Sequence, residues 1–354
     1  MNRVGKKRLR VVVVDDSTLS RVLIRDALRE IDTVSIVGSA ENGILALKKI
    51  GELDPDVVTL DVEMPGMDGI QVLREMKIRG DRARTIMVSR HTAAGAQVTT
   101  DALMEGAFDF ILKPSGGNVE ANKRELTDAL DGILEAVYES YYGSIDVASV
   151  EDSAQQDEFV GETSRCELVL IGTSTGGPDA LRRLLPSLPA GFRAPILVVQ
   201  HMPPNYTASL ANRLDELCPL NVVEAQDDTP ILPGSILIAP GGRHMGIAGS
   251  KGGLVTRLSN DPPEHSCRPA VDYLFRSAFQ TVPQKKMLGV ILTGMGNDGT
   301  EGCALLKDCG ARILAQDARE CVVYGMPKSV IKNGLADRII PLNQMAAAIC
   351  REAK

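Results

Sequence analysis

Short apolar runs alternate with amphipathic stretches along most of the chain. In the first 140 residues, five runs rich in valine, isoleucine and leucine are predicted strands, at residues 9–14, 35–38, 57–60, 85–88 and 108–112. Helical spacing of apolar positions separates them, at residues 20–30, 43–51 and 69–77, and returns at residues 120–138. Parallel sheets covered by helices on both faces have this pattern. We therefore predict an α/β, flavodoxin-like doubly wound domain.

The pattern changes near the middle of the chain and then resumes. Residues 141–165 contain one basic and six acidic residues and few periodic apolar positions, which is typical of an exposed linker. Beyond them, strands are predicted at residues 167–171, 196–200, 221–224, 235–239, 288–292 and 311–315, and helices near residues 179–185, 208–217, 270–279 and 299–308. Two runs at residues 245–248 and 253–257 flank a glycine-rich turn and predict a β-hairpin.

These patterns predict two domains. We assign residues 4–138 to the first domain, 139–165 to a linker and 166–352 to a second doubly wound, mainly parallel α/β domain with a β-hairpin. A length of 354 residues agrees with two domains.

Composition and charge exclude several classes of function. No apolar run approaches the roughly 18 residues of a membrane span, and the basic N-terminus is not followed by a signal-peptide core, so no direct membrane insertion is expected. A net charge of −7 without a basic patch argues against nucleic-acid binding. Seven cysteines without paired spacing or a C-x-x-C motif predict reduced thiols, a cytoplasmic location and no structural zinc.

Polar side chains follow the predicted strands of the first domain. Asp15 and Asp16 follow the first strand, Asp61 the third, Ser89 the fourth and Lys113 the fifth. The carboxyl ends of parallel strands share one crevice, where clustered carboxylates repel unless a hard cation such as Mg²⁺ joins them. A lysine and a hydroxyl facing a metal-held carboxylate suit phosphoryl transfer onto it. Each acid taken singly fits a solvated strand-end residue, but the set favours the phosphoryl site.

This arrangement resembles a response-regulator receiver domain. The matching residues, in order and at receiver-like spacing, are Asp15-Asp16, Asp61, the segment MPGMDG at residues 64–69, Ser89 and Lys113-Pro114. The resemblance implies that Asp61 accepts phosphate from a histidine kinase. It also implies that Asp16, Asp61 and the backbone carbonyl of Glu63 hold Mg²⁺, with Asp15 helping through water. The matching serine and lysine would sense the phosphoryl group.

The segment IGTSTGGP, residues 171–178, places Ser174 on a glycine-rich turn between an apolar run and a helix. Its G-x-S-x-G pattern fits a nucleophile elbow. A glycine-rich turn at a helix start also suits binding of an anion by backbone N–H groups, and small residues also make plain tight turns. The segment alone leaves these three alternatives open.

Two later residues supply a candidate base and acid. His201 directly follows a predicted strand, and Asp298 lies in a glycine-rich turn after another. Taken singly, His201 fits a structural histidine and Asp298 a helix N-cap. Together with Ser174 they can converge at the strand ends, since a Ser–His–Asp set needs no fixed chain order. The order here differs from that of α/β-hydrolases, so that fold is excluded. His244 and His265 are predicted to have structural or surface roles.

The segments IGTSTGGP, QHMPP and LTGMGNDG resemble, in this order, the catalytic domain of chemotaxis protein-glutamate methylesterases, the CheB family. The receiver and linker in front complete the family's arrangement. The resemblance implies hydrolysis of glutamate γ-methyl esters on methyl-accepting chemoreceptors and deamidation of receptor glutamines, with activation by a chemotaxis histidine kinase. In this mechanism Ser174 attacks, His201 is the base and Asp298 orients it, with no cofactor in this domain. The backbone N–H groups near Thr175 and Met295 are the candidate oxyanion donors.

Two other functions are compatible with parts of the sequence. A response regulator with a non-catalytic, partner-binding output domain would explain the receiver but does not need the serine, histidine and aspartate together. An esterase that serves a non-chemotactic receptor system would need all of them, and the sequence does not distinguish it from the main interpretation.

Overall fold

The chain divides into two units, residues 1–143 and 144–354. The computed structural model describes residues 7–90, 92–114, 116–142, 166–282 and 286–353. The first unit contains β1 (Leu9–Val14), α1 (Thr18–Arg29), β2 (Val34–Ala40), α2 (Gly43–Leu53), β3 (Val57–Asp61), α3 (Gly69–Arg79), β4 (Arg84–Ser89), α4 (Ala93–Met104), β5 (Asp109–Leu112) and α5 (Val119–Tyr142).

The first unit is built on a five-stranded parallel sheet with the order β2-β1-β3-β4-β5. Every residue of β3 is buried, as expected for a central strand covered by helices on both faces. The strand order reverses between β1 and β3, and ligands of open α/β sheets bind at such a point. The predicted flavodoxin-like architecture is confirmed.

Two helices of this unit differ from the prediction. Helix α4 was not predicted, because its alanine, glycine and threonine residues give little contrast between a polar and an apolar face. Helix α5 continues beyond residue 138 to Tyr142, and the hydroxyl of Tyr141 donates to the backbone oxygen of Arg82 (2.8 Å). The predicted limits at residues 138 and 166 stay predictions, and residues 143–165 lie outside the described residues.

The described part of the second unit contains fifteen α-helices and strands. They are β6 (Leu168–Thr173), α6 (Gly177–Leu184), β7 (Ile196–Gln200), α7 (Tyr206–Leu217), β8 (Asn221–Glu224), β9 (Ser235–Ile238), β10 (His244–Ser250), β11 (Gly253–Ser259), α8 (Val271–Thr281), β12 (Met287–Ile291), α9 (Thr300–Asp308), β13 (Arg312–Gln316), α10 (Met326–Lys332), β14 (Arg338–Ile340) and α11 (Leu342–Glu352). Strands β10 and β11 form an antiparallel hairpin.

A seven-stranded parallel sheet forms the centre of this unit, in the order β14-β13-β12-β6-β7-β9-β8. Strand β6 comes first in the chain but lies in the middle, so the order reverses between β12 and β6. The second doubly wound, mainly parallel domain with a β-hairpin is therefore confirmed. The prediction lacked β14 and α10, which have only three and seven residues, and α11, whose apolar spacing was present in the sequence.

Helix α8 is fixed to the sheet by one apolar face. Val271, Leu274, Phe275 and Ala278 are buried at the i, i+3, i+4, i+7 spacing of an amphipathic helix and belong to the core of this unit. This packing places the N-terminus of α8 close to the carboxyl edge of the sheet, where the loops after β6 and β12 lie.

Two expectations from composition concern the chain as a whole. In the portion that the structure describes, no helix is both long and apolar enough to cross a bilayer. All seven cysteines are among the described residues, and none forms a disulfide.

Candidate functional site

Ser174 and His201 lie side by side at the carboxyl edge of the second sheet. Strands β6 and β7 pair in parallel with Thr173 opposite Gln200, so the next residues of the two strands are Ser174 and His201. The backbone N–H of His201 donates to the carbonyl of Thr173 (3.1 Å) and continues the pairing. The fold thus brings the predicted nucleophile and base together at the reversal of strand order.

The turn that holds Ser174 is tight and needs small residues. The N–H of Ser174 donates to the carbonyl of Thr293 (3.0 Å), and the N–H of Gly177 donates to the carbonyl of Ser174 (2.7 Å). Gly176, at the N-cap of α6, has a φ of +79°, and a Cβ there would lie 2.5 Å from Cβ of Val322. This position requires glycine for both conformation and space. The strand–turn–helix context is the one that a nucleophile elbow needs.

Gln200, which the sequence analysis missed, ties the two candidates to each other. Its side chain is 2 % exposed. Its Nε2 donates to the backbone carbonyls of Ser174 (2.9 Å) and His201 (3.2 Å). Nothing in the sequence indicated this role, because a glutamine at the end of a strand is equally compatible with an ordinary polar position.

Asp298 reaches His201 from the loop after β12. Its Oδ2 lies 2.7 Å from Nε2 of His201, and the carboxylate is 2 % exposed. The backbone N–H groups of Val271 (2.7 Å) and Asp272 (2.8 Å) donate to the same carboxylate. Asp298 therefore caps a helix, as one alternative required, but the helix is α8 and not α9, whose N-cap is Gly299. The N-terminus of α8 favours the negative charge.

In this pair, each residue stabilises the charged form of the other. Burial opposes ionisation of Asp298, but the hydrogen bond from His201, its positive charge and the two N–H groups of α8 outweigh burial and lower the pKa of this carboxyl. Burial would lower the pKa of His201, but its hydrogen bonds to Asp298 and Cys267 and their charges outweigh burial and raise the pKa to about 9. The site therefore stabilises the imidazolium form of His201.

Ser174 and His201 are brought together by the pairing of their backbones at the ends of β6 and β7. Among the hydrogen bonds of the described residues, none joins Oγ of Ser174 to this ring, whose partners are Asp298 and the side chain of Cys267. Because Nε2 faces the carboxylate, a proton from the serine would pass to Nδ1, in competition with the ring's other partner, Cys267. Hydrogen bonds between nucleophile and base often tighten only when a substrate binds.

The loop that carries Met295 lies directly against Ser174. A Cβ at Gly294 would stand 2.8 Å from Cβ of Ser174 and 3.0 Å from its N. Met295, the next residue, is 41 % exposed. On the other side, the carbonyl of Thr175 accepts a hydrogen bond from the hydroxyl of Thr293 (2.9 Å). Both predicted oxyanion residues therefore border the nucleophile, and their role stays a prediction.

The remaining histidines of the second unit lie close to this site. His244 is buried, accepts the N–H of Ala270 (3.2 Å) and stacks on Tyr273. His265 is hydrogen-bonded to the buried carboxylate of Asp272 (2.9 Å). The ligand atoms of His265, Asp272 and Asp298 lie within 4.8 Å of one another. The expectation that this domain needs no cofactor accordingly stays a prediction.

A second set of predicted residues meets at the carboxyl edge of the first sheet. The Nζ of Lys113 lies 2.7 Å from Oδ2 of Asp61 and 2.8 Å from Oδ2 of Asp15. Burial, as the largest cause, and the charge of Asp15 outweigh Lys113 and raise the pKa of Asp61 to about 6. Lys113 therefore compensates only part of the cost of burying two carboxylates.

The donor set at this edge fits a magnesium ion. Carboxylate oxygens of Asp15, Asp16 and Asp61 lie within 4.8 Å of one another, and Mg²⁺ prefers oxygen ligands. Glu63 is close enough for its N–H to donate to Asp61 (3.3 Å), while the predicted role of its carbonyl stays a prediction. Ser89 accepts a hydrogen bond from the hydroxyl of Thr99 (2.7 Å). The serine hydroxyl itself donates to the carbonyl of Gly95 (3.3 Å), and its expected contact with a phosphoryl oxygen would require that this donated bond be exchanged.

Two family models match the two units separately, and relatives match nearly the whole chain. Residues 11–123 match the family model of the response regulator receiver domain, and residues 169–349 match that of the CheB methylesterase. A relative from Desulfotalea psychrophila is 44 % identical over 98 % of this chain and 99 % of its own length. One from Symbiobacterium thermophilum is 42 % identical over 98 % and 97 %. Both are named protein-glutamate methylesterase/protein-glutamine glutaminase.

A solved structure agrees with the second unit. The Thermotoga maritima CheB methylesterase catalytic domain matches with a TM-score of 0.51 and 44 % sequence identity, over 52 % of this chain and 98 % of that one.

Gly294→Ala is expected to disturb the nucleophile without removing it. The added methyl group collides with Ser174 and with the sulfur of Met326, so one of the two loops must move. The rate at which a fluorophosphonate probe labels Ser174 should fall by about 10- to 100-fold, since small displacements are costly at a reacting centre. Gly249→Ala, where a new Cβ meets no heavy atom of the described residues within 4 Å, is the control. Equal labelling rates in the two variants would contradict the prediction.

The ionisation of His201 is expected to depend on Asp298. Its pKa, measured by NMR titration of the imidazole, should lie well above that of an ordinary histidine because the carboxylate stabilises the cation. In Asp298→Asn the pKa should fall by about one unit or more, since a neutral amide replaces the charge. A pKa that does not change in this variant would refute the assigned pairing.

Proposed function

The chain belongs to the CheB methylesterase family, and from this premise we propose that it is a phosphorylation-activated serine hydrolase that removes methyl groups from glutamate γ-methyl esters of chemoreceptors. It is a protein-glutamate methylesterase with protein-glutamine glutaminase activity, regulated through its receiver domain. The observation that supports the proposed site best is the buried pair of His201 and Asp298, which lies beside Ser174 where the strand order reverses.

In the first half of the reaction, Oγ of Ser174 attacks the ester carbonyl while Nδ1 of His201 takes the hydroxyl proton. Asp298 holds Nε2 and stabilises the imidazolium that forms. The tetrahedral intermediate collapses, the imidazolium protonates the leaving oxygen, and methanol departs from the acyl-enzyme. A glutamine side chain would release ammonia in the same step.

Water completes the reaction. His201 takes a proton from the water that attacks the acyl-enzyme and returns it to Ser174, so that each turnover yields one glutamate carboxylate, one methanol and one released proton. We assign the stabilisation of the developing oxyanion to the backbone N–H groups of Thr175 and Met295, because both residues border the nucleophile.

In the receiver domain we assign phosphorylation to Asp61. A bound Mg²⁺ would be held by Asp16, Asp61 and the carbonyl of Glu63, with Asp15 acting through water, and it would neutralise charge on the phosphoryl oxygens. Lys113, already paired with Asp61, is placed to bind one of these oxygens after transfer. Ser89 is the proposed second sensor of the phosphoryl group.

The partners follow from the family. We propose methyl-accepting chemoreceptors as substrates, a chemotaxis histidine kinase as the phosphodonor, and the cytoplasm as the location. The alternative of a non-catalytic output domain is not favoured, since the relatives carry an enzyme name over nearly the full length.

Ser174→Ala is expected to abolish ester hydrolysis, because no other group in the assigned site supplies the attacking oxygen. Methanol release from methylated receptor should fall by about a thousandfold or more, while phosphorylation of the receiver by a small-molecule phosphodonor remains. Ser187→Ala, which removes a hydroxyl bonded only to the carbonyl of Arg183 in the described structure, is the matched control. Substantial hydrolysis by Ser174→Ala would exclude the assigned nucleophile.

Asp61→Asn is expected to remove the response to phosphorylation, because the amide cannot accept a phosphoryl group. The ratio of methanol release with and without phosphodonor should fall to one. Asp32→Asn changes the same charge at an exposed position between α1 and β2, at the opposite edge of the sheet, and should keep the wild-type ratio. Stimulation that persists in Asp61→Asn would show that another residue carries the signal.

A further inference from the structure

A second histidine–carboxylate pair lies behind the proposed triad. The Nε2 of His265 is 2.9 Å from Oδ2 of Asp272, and the other oxygen of this carboxylate accepts the N–H of Gly302 (2.6 Å). Asp272 is 1 % exposed. The backbone N–H of the same residue donates to Oδ1 of Asp298 (2.8 Å). Asp272 is therefore linked to the acid of the triad through its backbone and to His265 through its side chain.

The two carboxylates are close enough to influence each other strongly. Ligand atoms of Asp272, Asp298 and His265 lie within 4.8 Å of one another. Burial, followed by the charge of Asp298, acts to raise the pKa of Asp272 to about 6, against the hydrogen bonds from Gly302 and His265. Two adjacent negative charges in a buried site are tolerated only when partners compensate for them.

Several elements contribute charge around the first turn of α8. The titratable and charged side chains there are Arg276 on the same helix with its partner Glu264, Cys303 of α9, His244 of β10, Asp298 after β12 and His265 after β11. The ring of His265 is bonded directly to the Asp272 carboxylate and remains 30 % exposed.

Backbone conformation shows that the loop holds His265 in place. His265 and Ser266 have φ values of +49° and +61°, a region that side chains other than glycine seldom adopt. Such conformations persist where surrounding contacts determine them. Here the contacts include the side-chain bond to Asp272 and the backbone bonds between Glu264 and Cys267, whose side chain is bonded to His201.

We propose that His265 and Asp272 are positioning residues of the esterase, which fix the carboxylate of Asp298 and control how readily His201 accepts a proton. In this arrangement the hydrogen bond between His265 and Asp272 fixes the first turn of α8, whose backbone N–H groups hold the carboxylate of Asp298. This inference rests on the proposed function of the triad, because its consequence for turnover requires that His201 be the base.

The two members of the pair have different expected effects. Asp272→Asn removes a negative charge near the imidazolium and should lower the pKa of His201 by about half a unit to one unit. His265→Ala removes the hydrogen bond that holds Asp272, so that Asp298 is less firmly fixed, and kcat/KM for methanol release should fall by about tenfold. His265→Gln keeps a hydrogen-bond donor for Asp272 and should restore most of this loss.

The experiment measures the pKa of His201 directly in the full-length chain by NMR with labelled histidine. The chain has four histidines, and His201→Gln assigns the signal. Titrations contain a chelator, so that no adventitious ion occupies the cluster. The pH dependence of kcat/KM for methanol release is recorded in parallel, and its acid limb should move with the NMR value while KM changes little.

Asp308→Asn is the control, since it removes one negative charge from an exposed position at the end of α9. A lowered pKa in Asp272→Asn with no shift in the control, together with a lower kcat/KM in His265→Ala that His265→Gln restores, supports the proposal. An unchanged pKa in Asp272→Asn, or equal kcat/KM in His265→Ala and His265→Gln, overturns it. If Asp272→Asn does not fold, the comparison of the two His265 variants alone decides. A lowered pKa in Asp272→Asn of a chain that releases no methanol even without a substitution would refute the proposed function and not the pairing.

Discussion

The candidate catalytic site depends on the buried carboxylate of Asp298. Three groups donate to it: Nε2 of His201 at the end of β7 and the first two backbone N–H groups of α8. A carboxylate at 2 % exposure is stable only with such partners, and a helix N-terminus supplies two of them together with a favourable dipole. The same interaction therefore holds α8 against the sheet and orients the base. Any change that loosens α8 should also disturb His201, because both are bonded to one side chain.

The two units use the same edge of a parallel sheet in electrostatically different ways. In the first, Asp61 and Asp15 lie together and share Lys113, so that burial and repulsion keep the pKa of Asp61 raised. Such a cluster is stabilised when a cation binds to it and reduces the repulsion between the carboxylates. In the second, the partners of Asp298 are complete without a ligand, and the pKa of its carboxyl is lowered. The proposed phosphorylation site is therefore under-compensated, whereas the proposed acid of the triad is compensated in advance.

Much of this organisation could be predicted from the sequence, because strand ends are visible there. The apolar runs at residues 168–171 and 196–199 end shortly before Ser174 and His201, and the parallel pairing of Thr173 with Gln200 then brings the two together. The contacts of Gln200, Cys267 and Asp272 could not be predicted, because they join elements far apart in the chain and no local pattern distinguishes these residues from ordinary exposed polar positions. Asp298 shows the limit most clearly, since its capping role was foreseeable but the helix that it caps was not.

Stabilisation of the imidazolium has a cost for the reaction. A base must be unprotonated to begin the cycle, and the same carboxylate that stabilises the transition state also raises the pKa of His201 in the free enzyme. Each additional negative charge beside Asp298 would increase the fraction of inactive, protonated histidine at neutral pH. Asp272 is such a charge, held close by the N–H bond that its own backbone donates to Asp298. The hydrogen bonds of His265 and Gly302 to the side chain of Asp272 hold this carboxylate in one place, so that its distance from Asp298, and with it its effect on the base, stays fixed.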